Sequence, residues 1–353
     1  MIKSLIIVGN GFDLAHGLET SYKHFIDYLV DKNLKEKISH KCLIQIPKYI
    51  TDVKRFYSAV KDKSIDVHGR KYTSLIMREL LEDMSLKNWC DIEEKYFYHL
   101  SSVNTREQNL YQNVKTLNHD FERIKNELEE YLKTQQAGDE VLSYKYFFNS
   151  LLNEDSLVVN FNYTDTVKQL YASSGSLFSS GDRSSRILHI HGELGNAHNP
   201  IVFGYAANTA EINNLLDKGD NEYLTNIKRH AYLLANNERK LREYLDKNAY
   251  IDVHILGHSC GLSDKLILEE ILNHKNIQSI RIYYYENRKN FFNSCVNIHR
   301  IIRNEDNLKK IVNFEDSSRM PQKKDDDSQT EAFKSYLYKY GQENNTLLPP
   351  LIL

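Results

Sequence analysis

The sequence predicts an α/β domain with a mostly parallel sheet, interrupted by a large α-helical insertion. Three observations predict it. The apolar run Met1-Ile2-Lys3-Ser4-Leu5-Ile6-Ile7-Val8 breaks on Gly9-Asn10-Gly11-Phe12-Asp13-Leu14-Ala15-His16-Gly17. Residues 151–287 alternate short apolar runs with charged, helix-like stretches, the order that builds parallel strands joined by crossover helices. Between them, 19–150 carries apolar residues at helical spacing among many Glu, Lys and Asn. The predicted architecture is a Rossmann-like core from 1–18 and 151–312, an insertion over 19–150, and a linker and C-terminal tail over 313–353.

The first strand is short, apolar and ends in a glycine turn that opens a helix. Such a turn lets the backbone approach a ligand and points helix-start N–H groups at an anion. Gly9, Asn10, Gly11, Phe12 and Asp13 are therefore the first candidates for nucleotide binding. An ordinary dehydrogenase fingerprint is not predicted. Its third glycine would stand where the chain has Leu14, and its second strand where Ser21–Val30 has helical periodicity. A tight strand-to-helix turn without a ligand is the plainer alternative.

In the insertion, 71–84 and 91–134 read as helices. In the second half, strands are expected at 156–162, 186–191, 201–205, 250–257 and 277–285, with helices over 222–246 and 264–274. Residues 316–330, with Lys323-Lys324-Asp325-Asp326-Asp327, read as a solvated linker. The end, Leu347-Leu348-Pro349-Pro350-Leu351-Ile352-Leu353, is apolar and proline-broken.

Composition narrows the function classes. The chain has 353 residues, 41% hydrophobic and 27% charged, with a net charge of −2. That is ordinary for a globular protein and gives no basic field for nucleic acid. No run approaches the roughly 20 apolar residues that span a membrane, and no signal-peptide pattern opens the chain. Cys42, Cys90, Cys260 and Cys295 lack CxxC spacing. No zinc site, other metal or disulfide framework is predicted, and a reducing cytoplasm is the expected location.

The strand ends carry the polar residues. They read Asn160-Phe161-Asn162-Tyr163-Thr164, His191-Gly192-Glu193, Phe203-Gly204-Tyr205, and Gly257-His258-Ser259 followed by Asp264. Each has a bland reading: Asn162 as a turn or cap residue, His191 as a core histidine, Ser263 and Asp264 as caps. Their joint occurrence is less easily set aside, because ligands of parallel sheets sit outside the C-terminal strand ends. Gly257-His258-Ser259-Cys260-Gly261 also fits G-x-S-x-G, which keeps a serine hydrolase using Ser259 as an alternative. Against it, the capping pattern starts the helix near Ser263 rather than at the serine, and only His274 and His299 follow.

Leu5 to Leu18, with Thr20-Ser21-Tyr22 and Phe25, resembles the opening of bacteriophage abortive infection proteins of the AbiH type. Trp89-Cys90-Asp91-Ile92-Glu93, the Asn160 block, His189-Ile190-His191-Gly192-Glu193 and Leu256-Gly257-His258-Ser259 with Asp264 are similar to later blocks of that family. The resemblance covers about 1–300. The same order of blocks is more distantly similar to the sirtuin-like NAD-binding fold. That likeness implies a dinucleotide held by Gly9, Gly11 and Asp13, with Gly257, Ser259 and Asp264 on the adenosine side. It implies Asn162 as the residue positioning water or ribose and His191 as the base. Thr164 departs from the pattern, and the zinc-binding cysteines of deacylases are missing.

The implied activity is NAD hydrolysis at the nicotinamide–ribose bond in antiphage defence. That reaction passes through an oxocarbenium-like state with a leaving group already cationic. Asn can orient water and His can take its proton. The expected partner is a nucleotide, NAD first, with a phage-derived or host protein as trigger and homo-oligomerisation left open. A non-catalytic nucleotide-binding sensor signalling to a partner is the rival of a different class.

Overall fold

The computed structural model describes residues 3–36, 43–44, 46–62, 74–82, 89–103, 111–152, 156–172, 184–302 and 304–343. Its strands are β1 (Lys3–Val8), β2 (Leu157–Asn160), β3 (Ile187–His189), β4 (Ile251–Leu256) and β5 (Ile277–Tyr283). Before β2 run α1 (Asn10–Ala15), α2 (Tyr22–Glu36), α3 (Val53–Lys61), α4 (Leu75–Glu82), α5 (Trp89–Ser102), α6 (Val114–Lys133) and α7 (Leu142–Leu151). After β3 come α8 (Thr209–Leu216), α9 (Lys228–Tyr232), α10 (Asn237–Lys247), α11 (Lys265–Leu272), α12 (Arg288–Ile302), α13 (Glu305–Leu308) and α14 (Asp327–Glu343). No described helix is long and apolar enough to cross a membrane.

The chain divides into two compact units, one of 1–18, 136–202 and 232–353, the other of 19–135 and 203–231. In the first, the five strands form one all-parallel sheet in the order β3-β2-β1-β4-β5. The sequence direction reverses beside β1, so the topological switch lies at β1 and β4, where open α/β sheets bind ligands. Val8 pairs with Asn160 and Leu256, and Asn160 with His189. The register thus aligns the residues from which the site loops depart. Leu5 to Val8 are fully buried on both faces, the condition that makes a parallel strand a continuous apolar run.

One face of this sheet is covered by an aromatic layer. α7 contributes Tyr144, Phe147, Phe148 and Leu151, spaced i, i+3, i+4, i+7, and α14 contributes Phe333, Leu337 and Tyr340. Residues 136–150 therefore belong with the core rather than with the insertion, because α7 buries its apolar stripe there. The expected linker over 316–330 is likewise corrected. Met320 is buried, its N–H donates to Tyr284 O (2.8 Å), and Lys323 N–H donates to Ala15 O (2.8 Å). The charge run hides this packing because Lys323, Lys324, Asp326 and Asp327 are exposed, while its backbone is bonded and Asp325 turns in to Arg319. The tail at 347–353 and Cys42 lie outside the described residues.

The helical unit holds α2 to α6 with 203–231, so the expected insertion is extended by a later excursion of the chain. Glu93 is the pin of that unit. Its carboxylate accepts from Gly204 N (3.1 Å) and pairs with the buried Lys228 ammonium (3.0 Å). The strand expected at 201–205 is not one: only Tyr205 forms an isolated bridge, with Ile227. Its apolar side chains are buried without joining a ladder.

Candidate functional site

The glycine turn after β1 lies against the turn after β4, backbone on backbone. Gly9 N–H donates to Leu256 O (3.0 Å), Gly11 N–H to Gly257 O (2.8 Å) and Phe12 N–H to Gly9 O (2.9 Å). A Cβ on Gly9 would lie 2.6 Å from His258 Cα, and one on Gly257, whose φ is +64°, 2.3 Å from Phe12 N. The Gly9 and Gly11 amides are thus engaged by the end of β4 and its turn, and the Phe12 amide by its own turn; the glycines permit that close approach. Phe12 points into the aromatic core. A bulky apolar residue inside the turn was the available sign of this packing.

Asp13 lies beneath the turn, fully buried, and accepts from Thr164 Oγ1 (2.5 Å). Burial pushes its carboxyl up to about 6, against hydrogen bonds from Thr164, Thr166 and Asn162 that hold it down. Asn162 donates from Nδ2 to Gly9 O (3.1 Å), while its N–H donates to Asn160 Oδ1 (3.0 Å). Asn160 also donates to Thr164 O (3.1 Å). The asparagine block therefore ties the β2 end to the glycine turn.

Three predicted or neighbouring residues converge beyond it. His191 Nε2 lies 3.2 Å from Asp264 Oδ1, and His258 Nε2 lies 3.3 Å from Asp264 Oδ2. Cys260 N–H donates to His258 Nδ1 (2.9 Å). That bond assigns the lone pair to Nδ1 and the proton to Nε2, which puts the protonated edge of His258 beside the carboxylate. The Phe161 edge packs on both imidazoles, with centroids 5.1 and 4.4 Å away, and Tyr232 stacks on His191. Asp264 stands at the N-cap position of α11 yet makes no capping bond. A cap residue that turns its carboxylate to two histidines is a chemical group rather than a helix signal.

Ser259 is exposed in the same turn. His258 turns one ring nitrogen to Cys260 and the other to Asp264, so it is not oriented as the base a serine elbow needs. The left-handed non-glycine residue here is Cys260, with φ +53°. Its thiol is pushed up to about 12 by burial, then by Asp264 and Cys295, which makes it inert.

Asp165, His189 and Glu193 offer ligand atoms within 4.8 Å of one another, donor types that suit a divalent cation. The Lys168 ammonium stands in the same place, 3.4 Å from Asp165 Oδ2 and 3.2 Å from Glu193 Oε1. One of the two carboxylate charges is thus already offset by a side chain.

A cavity of about 900 Å³ opens at the C-terminal ends of β1, β4 and β5. Gly11, Gly257, His258 and Ser259 line it; among the described residues Asn162, His191 and Asp264 do not. His258 is the shared wall between this cavity and the histidine–carboxylate group. The remaining walls come from Leu14, Ala15 and Gly17 at the end of α1, from the end of β5 with Tyr284 and Tyr285, from α12 and from 320–324. None of these was a candidate from sequence, because a polar helix stripe and a charged segment read as solvated surface.

A family model described as Bacteriophage abortive infection AbiH matches residues 5–286. No curated protein and no solved structure matches the chain. The match spans more than half of the sequence and includes every residue block discussed above except α12 and the segment after it. The chain belongs to the AbiH family.

Proposed function

We propose that this member of the AbiH family serves abortive antiphage defence by binding a nucleotide, NAD first, in the switch-point cavity and hydrolysing it at the nicotinamide–ribose bond. The observation that carries the reading is the shared wall. His258 lines the cavity and stands 3.3 Å from Asp264, whose other oxygen lies 3.2 Å from His191. The volume lies near the top of the roughly 300–1,000 Å³ typical of small-molecule sites.

The chemistry asks for orientation of the ribose, delivery of water and a proton acceptor. Water oxygen bonds the anomeric carbon as its bond to the pyridinium nitrogen breaks. The bonding pair returns to the ring, which leaves as neutral nicotinamide. The water proton passes to the His191–Asp264–His258 group, whose two imidazoles share one carboxylate. Asn162 acts one step back, by fixing the Gly9 turn against which the ligand packs.

A second reading keeps the nucleotide but not the turnover. Asn162 and both His258 nitrogens are engaged within the fold, which suits a sensor. Nicotinamide release measured by chromatography, beside calorimetric binding of NAD, separates the two. The hydrolase reading expects turnover that falls on the order of 10²–10⁴-fold in Asp264→Asn and His191→Ala, with binding retained. Binding without turnover in wild type moves the function to the sensor, and a nucleotide panel that never binds sinks both.

A further inference from the structure

The cavity wall that faces the glycine turns is made by α12 and by the strap that follows it in the chain, residues 317–324. On α12, Asn290, Asn293, Ser294 and Asn297 all line the cavity. Their spacing is i, i+3, i+4, i+7, one helical stripe. The opposite stripe, Phe291, Ile298, Ile301 and Ile302, is buried. Two of the carboxamides brace the walls: Asn290 donates to Tyr285 O (2.7 Å) and Asn297 to Ser259 O (2.8 Å). The Asn293 carboxamide makes no hydrogen bond among the described residues, nor does the Ser259 hydroxyl.

The strap is fixed at both ends of its span. Tyr284 N–H donates to Ser318 O (3.2 Å), Met320 N–H to Tyr284 O (2.8 Å) and Lys323 N–H to Ala15 O (2.8 Å). Tyr144 Oη donates to Pro321 O (3.0 Å), and Arg319 pairs with Asp325 (2.6 Å). This places Lys323 and Lys324 on the cavity wall. Among the described residues neither ammonium has a carboxylate at ion-pair distance, although Asp325 is adjacent in sequence; Asp325 is held by Arg319. Two unneutralised cations beside a cavity of this size favour a ligand that carries negative charge.

We infer that Lys323 and Lys324 bind the phosphate groups of the cavity's ligand, and that Asn293 with Ser259 reads its planar hydrogen-bonding end. The inference rests on the nucleotide reading of the cavity and names the residues that select within it. Both α12 and the strap lie C-terminal to the family-matched residues 5–286. The selectivity is therefore assigned to a part of the chain outside that match.

The test is calorimetric binding of ADP-ribose, adenosine and inorganic pyrophosphate to the full chain. Wild type is compared with the double variant Lys323→Ala/Lys324→Ala and with Asn293→Ala. The substituted side chains are exposed, and an unchanged melting temperature checks folding. The double variant is expected to bind ADP-ribose roughly 10- to 100-fold more weakly and adenosine as wild type does. Its ADP-ribose affinity should also lose much of its salt dependence. Asn293→Ala is expected to weaken adenosine and ADP-ribose together and leave pyrophosphate unchanged. ADP-ribose affinity untouched by the lysine changes overturns the inference. Lysine-dependent pyrophosphate binding without nucleotide binding removes the nucleotide reading but keeps the phosphate assignment; no binding of any probe removes both.

Discussion

The glycine turn after β1 and the α12–strap wall stand on two sides of one cavity, and they teach opposite lessons. The turn looks like a ligand cradle, yet its Gly9, Gly11 and Phe12 amides bond to backbone carbonyls. The wall looks like solvated surface, yet it holds Asn293, Lys323 and Lys324, whose side chains make no hydrogen bond or ion pair among the described residues. Glycine permits close approach, and the approaching group can be another turn of the same chain as readily as a phosphate. Polar groups available to a ligand are those the fold leaves unused, which a motif does not reveal.

The comparison breaks most sharply at Gly257. Its φ of +64° and the 2.3 Å from a built Cβ to Phe12 N leave no room for a side chain. Gly257→Ala is expected to destabilise the fold by about 3–5 kcal/mol, from left-handed strain plus overpacking against backbone. Urea unfolding measures it. A cost below about 1 kcal/mol would show that the two turns can separate, which would return the glycines to a ligand-binding role.

Asp13 tests the same turn from beneath. Its carboxyl is raised to about 6 by burial. The stability contributed by its protonated form is present below about 3.8 and is lost as pH rises through about 6, a difference of about 3 kcal/mol. Asp13→Asn keeps an acceptor for Thr164 without the charge. Its stability relative to wild type should therefore rise by up to that amount between pH 4 and pH 7. A difference between the two proteins that stays flat with pH would mean the carboxylate is solvated, and the turn looser than described.

The fold was legible where burial is two-sided. β1, β2 and β4 are apolar runs because both faces of a parallel sheet are covered, and 201–205 misled because the same kind of run can be buried in a loop. His191 and Asp264 were legible as strand-end and cap residues; their approach, with His258 on the other carboxylate oxygen, was not, since it depends on where separate turns meet. The C-terminal segment was illegible for a different reason. Its Lys and Asp run suggests solvent, while the residues that fix it are the buried Met320 and Pro321 and an i, i+4, i+7 triad on α14.

That triad carries a prediction of middle size. Tyr340 Oη donates to Asp252 Oδ2 (2.9 Å), a buried carboxylate in β4, and the Arg281 guanidinium lies 4.5 Å from the Tyr340 ring. Tyr340→Phe keeps the packing and removes the donor, so a loss of about 1–3 kcal/mol in denaturant unfolding is expected. A neutral outcome would mean that α14 covers the sheet without anchoring it. The strap would then be held by its backbone bonds and by the Arg319–Asp325 pair.

The smallest effect is the most discriminating. Asn293→Ala should change stability by no more than about 0.5 kcal/mol, as for a surface position without a partner. Gly257→Ala, across the same cavity, is expected to cost several times that amount. Fold stability and ligand selection would then be divided between the two sides. If Asn293→Ala instead destabilises the chain by 1 kcal/mol or more, its carboxamide supports the α12 wall. The contrast between a turn built for the fold and a wall left open for a ligand would fail there.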